Sequence, residues 1–219
     1  MEELGFSALW IPDVGGPVLD CVDNLLASTK HVVIATGILN LWMHDPSDVA
    51  AGYASLTKTH GERPVPVVNR VLAALGPKML ELSATRSRGA HPYLVMPDHT
   101  HQAREVLGSG PLLLPEQTVF LTNSRDDARA IGTDWLRAYL ALPNYANNLL
   151  RSGFTQDDLD SVSDRLFDAI IAWGDEDAIA QRVNEHKQAG ADHVCVQALT
   201  ADPREFPREQ WRTLAAAFV

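Results

Sequence analysis

The stretch Asn69–Val95, NRVLAALGPKMLELSATRSRGAHPYLV, decides how the rest of the chain is read. Val71–Leu75 is a short apolar run without polar interruption, as expected of a strand covered on both faces. Gly76-Pro77 follows at once, and proline suits a first helical position because it has no N–H to leave unpaired there. Met79, Leu80, Leu82 and Ala84 give the helix an apolar side, Gly89 ends it, and Ala90–Val95 opens the next strand. A strand, a helix and a strand this close together make a βαβ unit with parallel strands. Ligands collect at the carboxyl ends of such strands, which puts Gly76-Pro77-Lys78 and Pro92–Val95 near a functional edge.

The same rhythm runs outward in both directions. Strands are expected at 7–11, 31–39, 69–75, 90–95, 112–121 and 193–199, with HVVIATGIL the clearest of them. Helices are expected at 17–28, from Asp45-Pro46 to about Thr59, and at 97–107, 125–142, 165–173, 176–188 and 208–218, with Met1–Leu4 the tail of another. Gly5, Gly89 and Gly190 each stand between a helix and a strand, where a left-handed glycine ends a helix cheaply. Six strands fit a doubly wound sheet, whereas a barrel needs eight. Two stretches break the pattern. Thr59–Asn69 carries two prolines and no period where another strand is due. Pro143–Ser163, PNYANNLLRSGFTQDDLDSVS, is a polar, partly helical insertion, longer than an ordinary connection, and reads as a binding loop or an interface.

Composition narrows the function classes. The chain has 219 residues, 46% hydrophobic and 21% charged, which fits a globular protein of about one or two domains. Its formal charge of −10 argues against nucleic acid or an anionic membrane as partner. Cys21 and Cys195 lie far apart in apolar surroundings and read as free thiols. No signal peptide and no apolar run near the ~18 residues of a membrane span is visible, so a cytoplasmic location is expected. There is no G-x-S-x-G elbow and no G-x-G-x-x-G, so hydrolase and Rossmann dehydrogenase readings lose support.

Several residues carry both a functional and a structural reading. Asp13 ends a strand, where it faces a ligand or stabilises a turn. Asn40 and His44 follow the 31–39 strand and reach toward the same end. Gly37 inside that strand marks a kink or the close approach of a ligand. Gly76-Pro77-Lys78 joins a small turn, a helix amino end and a cation, as a phosphate site does, although Pro77 removes one N–H donor. His91 is read as a packed histidine or as a hydrogen-bond donor to a ring or substrate. Asp98-His99-Thr100-His101 has the residue types of a metal cluster, but His99 and His101 diverge on a helix and Asp98 reads as its cap. No metal site is expected.

Five stretches, EELGFSALWIPD, VVIATGILNLWMHDP, RVLAALGPKMLELSATRSRGAHPYLVMPDHTHQAREVLG, LPNYANNLLRSGF and WGDEDAIAQRVNEHKQAGADHVCVQAL, resemble the luciferase-like flavin and deazaflavin oxidoreductases, in particular the F420-dependent oxidoreductases of actinobacteria. The resemblance implies a (β/α)8 TIM barrel, here one domain over 1–219 that lacks, or does not show, strands 1 and 4. The first would precede Met1, and the fourth would follow HGER, where Arg63 runs straight into Pro64. It implies hydride transfer between the deazaflavin coenzyme F420 and an organic substrate, with an FMN-dependent monooxygenase as the alternative. A non-catalytic, truncated barrel is a third reading. It further implies cofactor contacts from Asp13, Gly37, Ile38, Asn40, Gly76, Pro77, Lys78 and His91, a non-proline cis peptide at Gly37-Ile38, and a homodimer.

Overall fold

The computed structural model describes residues 1–13, 15–40, 43–61, 71–202 and 205–218. The aperiodic stretch 62–69, the Arg63–Pro64 junction and the first two residues of the 69–75 strand lie outside these. The chain divides into two compact units, residues 1–70 (with 219) and 71–218.

In the first unit β1 (Ala8–Pro12) pairs in parallel with β2 (Val33–Gly37), Ala8 opposite Val33 and Pro12 opposite Gly37. Helices α1 (Val18–Ser28) and α2 (Pro46–His60) cover them. Val22 and Leu26 of α1, Leu56 of α2, and Val32 and Ile34 form the core. Burying each such side chain contributes about 1.5–3 kcal/mol. The opening Glu2–Leu4 is a single 3-10 turn closed by Gly5 in the left-handed region. Its Glu2 carboxylate accepts the backbone N–H groups of Lys30, His31 and Val32, which draws the carboxyl down to about 2 and ties the amino terminus to the start of β2.

The second unit holds β3 (Leu72–Ala73), α3 (Pro77–Arg86), β4 (Gly89–His91), α4 (Pro97–Leu107), β5 (Leu112–Leu113), β6 (Glu116–Leu121) and α5 (Arg125–Leu140). Then follow α6 (Pro143–Arg151), α7 (Gln156–Ser161), α8 (Asp164–Ile170), β7 (Ile171–Gly174), α9 (Glu176–Gln188), β8 (Cys195–Ala198) and α10 (Arg208–Phe218). The strand expected at 112–121 is interrupted at Leu114-Pro115, yet its ladder runs on. The N–H groups of Leu112, Leu114 and Glu116 donate to Arg88, Ala90 and Pro92, while the Leu113, Pro115 and Val119 carbonyls accept from Asp192, Cys195 and Leu199. Pro115 thus lacks its N–H on the β8 side. Strand β8 follows one edge of 112–121, and β4 and then β7 share the other. The handover falls beside Leu94, whose φ of 59° turns the chain away from the sheet.

One expectation changes here. Residues 171–173, read as the end of a helix, form β7: Ile171 and Ala172 are buried in register with Thr118 and Val119, so strand pairing outweighs the helical pattern. Among the described residues the parallel strands form ladders of two, three and three strands that do not close, consistent with the partial barrel expected from the resemblance. The sheet is covered on both faces. Val119 and Ala172 meet Ile179 of α9 and Leu214 of α10, whereas Ile171 faces Leu94, Leu136, Leu149 and Phe167 with α5–α8. The long 143–163 connection is therefore largely helical, and Leu149, Phe154, Leu159 and Val162 close the core on that side.

Gly89 is not a helix cap. Helix α3 ends at Ser87, and Gly89 opens β4 with φ 153°, where a Cβ would stand 1.9 Å from the Leu112 carbonyl oxygen. A backbone oxygen cannot move aside, so Gly89→Ala is expected to cost about 3 kcal/mol or more in urea unfolding. Gly110→Ala, with open space around it, is expected to stay within about 0.5 kcal/mol of wild type.

Candidate functional site

The carboxyl ends of β1 and β2 are joined by a side chain. Asp13, directly after β1, accepts the Asn40 N–H at 3.1 Å and the His44 Nε2 at 2.8 Å, both on Oδ2. The Asp13 side chain is fully covered, while His44 keeps about a quarter of its surface, 23%, exposed. The Asn40 N–H is the main cause that holds the carboxyl below its usual range, with His44 adding to it and burial opposing it. An imidazole fixed by a carboxylate through one nitrogen presents its other nitrogen in a set direction. Gly37 ends β2, and Ile38 bends the chain with a φ of 58° and a half-exposed side chain. Among the described residues there is no cis peptide, so the bend implied at Gly37-Ile38 comes from left-handed backbone at Ile38 instead. Asp13, Asn40 and His44 thus meet at the carboxyl ends of β1 and β2, where Gly37 and Ile38 also lie.

Gly76, Pro77 and Lys78 belong to the second unit, at the carboxyl end of β3. Gly76 is the N-cap of α3 without a side-chain cap, Pro77 occupies the first turn, and that turn carries no acidic residue. A Cβ on Gly76 would stand 3.4 Å from Arg151 Nη2, an ordinary contact, so the guanidinium lies beside the turn. Lys78 is exposed. The corner is cationic and open.

His91 is a packed histidine. It is 4% exposed, its Nδ1 donates to the Leu114 carbonyl at 2.5 Å, and burial keeps the ring neutral to lower pH than usual. Of the DHTH run, His99 donates from Nε2 to the Leu75 carbonyl at 2.8 Å, and His101 stands beside Glu105 at 3.7 Å. Met96, not Asp98, is the N-cap of α4, and no group of three metal-ligating side chains gathers among the described residues.

Sequence reading missed the buried polar groups of β6. Glu116 is 2% exposed and accepts the Thr118 hydroxyl at 2.6 Å and the Leu94 N–H at 3.3 Å. Burial pushes its carboxyl up to about 7 despite those two bonds. Around it, Tyr139 donates to the Tyr93 oxygen at 3.0 Å and Tyr93 donates to Gln197 Oε1 at 2.7 Å, while Cys195 is held in its thiol form by burial and the nearby carboxyl. On the other face of the strand, His186 Nε2 donates to Gln117 Oε1 at 3.0 Å. That fixes Nδ1 as the acceptor of the Thr100 hydroxyl at 2.8 Å. The signal was present: a glutamate and a glutamine inside an apolar strand cannot be buried unpaired.

The fold is shared with several solved enzyme structures, each at low sequence identity. An F420-dependent secondary alcohol dehydrogenase, solved with an F420–acetone adduct, aligns at TM-score 0.70 and 13% identity over 99% of this chain and 91% of its own. A coenzyme F420-dependent tetrahydromethanopterin reductase from Methanopyrus kandleri aligns at 0.73 and 13% over 98% and 90%. The FMN-bound oxygenating constituent of 3,6-diketocamphane monooxygenase from Pseudomonas putida aligns at 0.67 and 11% over 98% and 87%. No family model matches the sequence, and no curated protein matches it. Among the described residues no helix is long and apolar enough to cross a membrane.

A buried carboxyl with a raised pKa destabilises the fold once it ionises. For Glu116 the stability is full below about 4.5, falls as pH rises, and levels off above about 7. Glu116→Gln is therefore expected to match wild type near pH 4 and to exceed it by up to about 3 kcal/mol at pH 8, read by urea unfolding at both.

Proposed function

We propose that the chain is an oxidoreductase that binds the deazaflavin coenzyme F420 and moves a hydride between it and an organic substrate. In this reading, residues 1–219 form one luciferase-like domain of the F420-dependent subgroup that the sequence resembles. The observation that carries it is the shared fold, aligned over 98–99% of this chain, with two enzymes described as F420-dependent. The residues present suit such a ligand. The Gly76 turn offers a bare backbone beside a guanidinium, and Lys78 adds a cation for a phosphate. In the first unit Asp13, Gly37, Ile38 and Asn40 are proposed cofactor contacts, and in the second unit Gly76, Pro77 and Lys78 are. His91, packed against the Leu114 carbonyl, supports β4 within the second unit.

The cofactor, when bound, supplies the hydride chemistry. The chain's own part is to hold, orient and manage protons. Asp13 fixes the His44 ring, whose remaining nitrogen takes or gives a proton at the strand edge. FMN is the second reading, favoured by the FMN-bound neighbour of the same fold.

Titrating purified protein with F420 and with FMN decides between these. Micromolar binding of F420 with FMN rejected is the expected result, and binding of neither overturns the reading. Asp13→Asn is expected to weaken binding roughly tenfold, about 1.4 kcal/mol, through the loss of one charge-assisted contact and the loosened His44.

A further inference from the structure

Glu116 is a buried carboxyl without a counter-charge: it is 2% exposed, and among the described residues no neighbouring cation bears on it. The titratable groups that face it are Tyr93 at the end of β4, Tyr145 of α6 and Cys195 of β8, with Tyr139 of α5 packed against both tyrosines. Neutral, the carboxyl is satisfied there. Its 2.6 Å bond with Thr118 serves either protonation state, because a hydroxyl donates or accepts, and Oε2 takes the Leu94 N–H at 3.3 Å. Ionised, it is a lone charge under aromatic rings, out of reach of water.

Of α5–α8, which cover this face, α6 is the most lightly held. Helices α5, α7 and α8 begin with Ser124, Thr155 and Ser163 as capping side chains, whereas α6 has none. Only Asn148 and Leu149 of its nine residues are buried, while Leu150 and the preceding Leu142 stand exposed. The Asn148 amide bonds within the helix, its Oδ1 accepting from Arg151 Nη2 at 3.1 Å. Attachment to the core thus falls to Leu149, Ala146 and the Tyr145 ring, whose centroid lies 5.4 Å from that of Tyr139 and 6.1 Å from that of Tyr93.

We propose that Glu116 works as a pH-operated latch: neutral, it allows Tyr145 to seat α6 on the sheet, and ionised, it releases that helix while β6 stays paired. The device lies within the second unit and does not depend on the cofactor reading. Moving packed rings is costly while the carboxyl is neutral, and the unpaired charge offsets that cost. The direction follows from the raised proton affinity: α6 is held fully below about 4.5, loosens as pH rises, and reaches its limit above about 7. Because Arg151 lies beside the Gly76 turn, release also withdraws a cation from the end of β3.

Hydrogen exchange of the full chain and of Glu116→Gln, which keeps the shape and both bonds without the charge, tests this. Wild-type amides 147–151 are expected to exchange through an opening separate from that of Val119. Their protection should fall on the order of fiftyfold between pH 5 and pH 8, once the intrinsic rate is allowed for. In Glu116→Gln they should stay protected at both. Trypsin at pH 8 should cut after Arg151 roughly tenfold more slowly in the variant than in wild type. Exchange of 147–151 only together with Val119 overturns the latch, because the helix then leaves only when the whole unit unfolds. An equal pH response, or equal cleavage, in wild type and variant overturns it as well.

Discussion

Between Leu112 and Thr122 the backbone N–H groups of alternate residues point to one edge, and the carbonyls of the residues between them point to the other. Both edges are fully used. Cys195–Ala198 lies along one, while Gly89–His91 and then Ile171–Gly174 share the second. A parallel strand in this position needs cover on both faces, and the connections provide it. Moving from β6 to β7 runs one way along the sheet, and moving from β7 to β8 crosses back over β6. Right-handed crossovers therefore place α5 and α9 on opposite faces. The same arrangement explains why the 143–163 connection is helical and buried: it fills the face that α9 and α10 leave open.

A strand buried on both faces tolerates polar residues only where each is satisfied. β6 carries three in a row, Glu116, Gln117 and Thr118, all at or below 2% exposure. Gln117 turns to the α9 face, where its amide bridges His186 and the Ile170 carbonyl. Glu116 and Thr118 turn to the other face and satisfy one another. The first set has every partner in place and acts as a rigid connection among α4, α9 and β6. The second stores a group that is neutral only below about pH 7. The two faces of one strand therefore differ in what they do for stability.

Most elements were legible because their signals are local. Helix 176–188 and helix 208–218 stand where the caps and apolar spacing put them, and the six expected strands all have counterparts. What escaped depends on partners remote in sequence. Ile171–Gly174 is a strand only because Thr118–Leu121 offers a free edge, and no pattern in AIIAWG reveals that. Gly89 has the look of a helix cap, yet its constraint is the Leu112 carbonyl 23 positions on. In the site, Asp13, Asn40 and His44 were legible as residues near strand ends, though their shared hydrogen bonds were not. Arg151 was invisible. Nothing in NNLLRSGF says that its guanidinium lies over Gly76.

The strongest pKa perturbations do not mark where chemistry is accessible. Glu116 has the proton affinity of a general acid at neutral pH, but Tyr93, Tyr139 and Tyr145 lie in its surroundings and it is 2% exposed. Delivering its proton to a ligand requires displacing packed aromatic rings, and each buries too much apolar surface to move cheaply. At the end of β1, Asp13 is as well covered, yet it holds a histidine that is not. At the end of β3, the cations face outward and only the amide that orients one of them is buried. In both places a buried group fixes the geometry of an exposed one. That division of labour is what a binding edge requires, because a ligand meets only the exposed partner and gains from the order imposed by the hidden one.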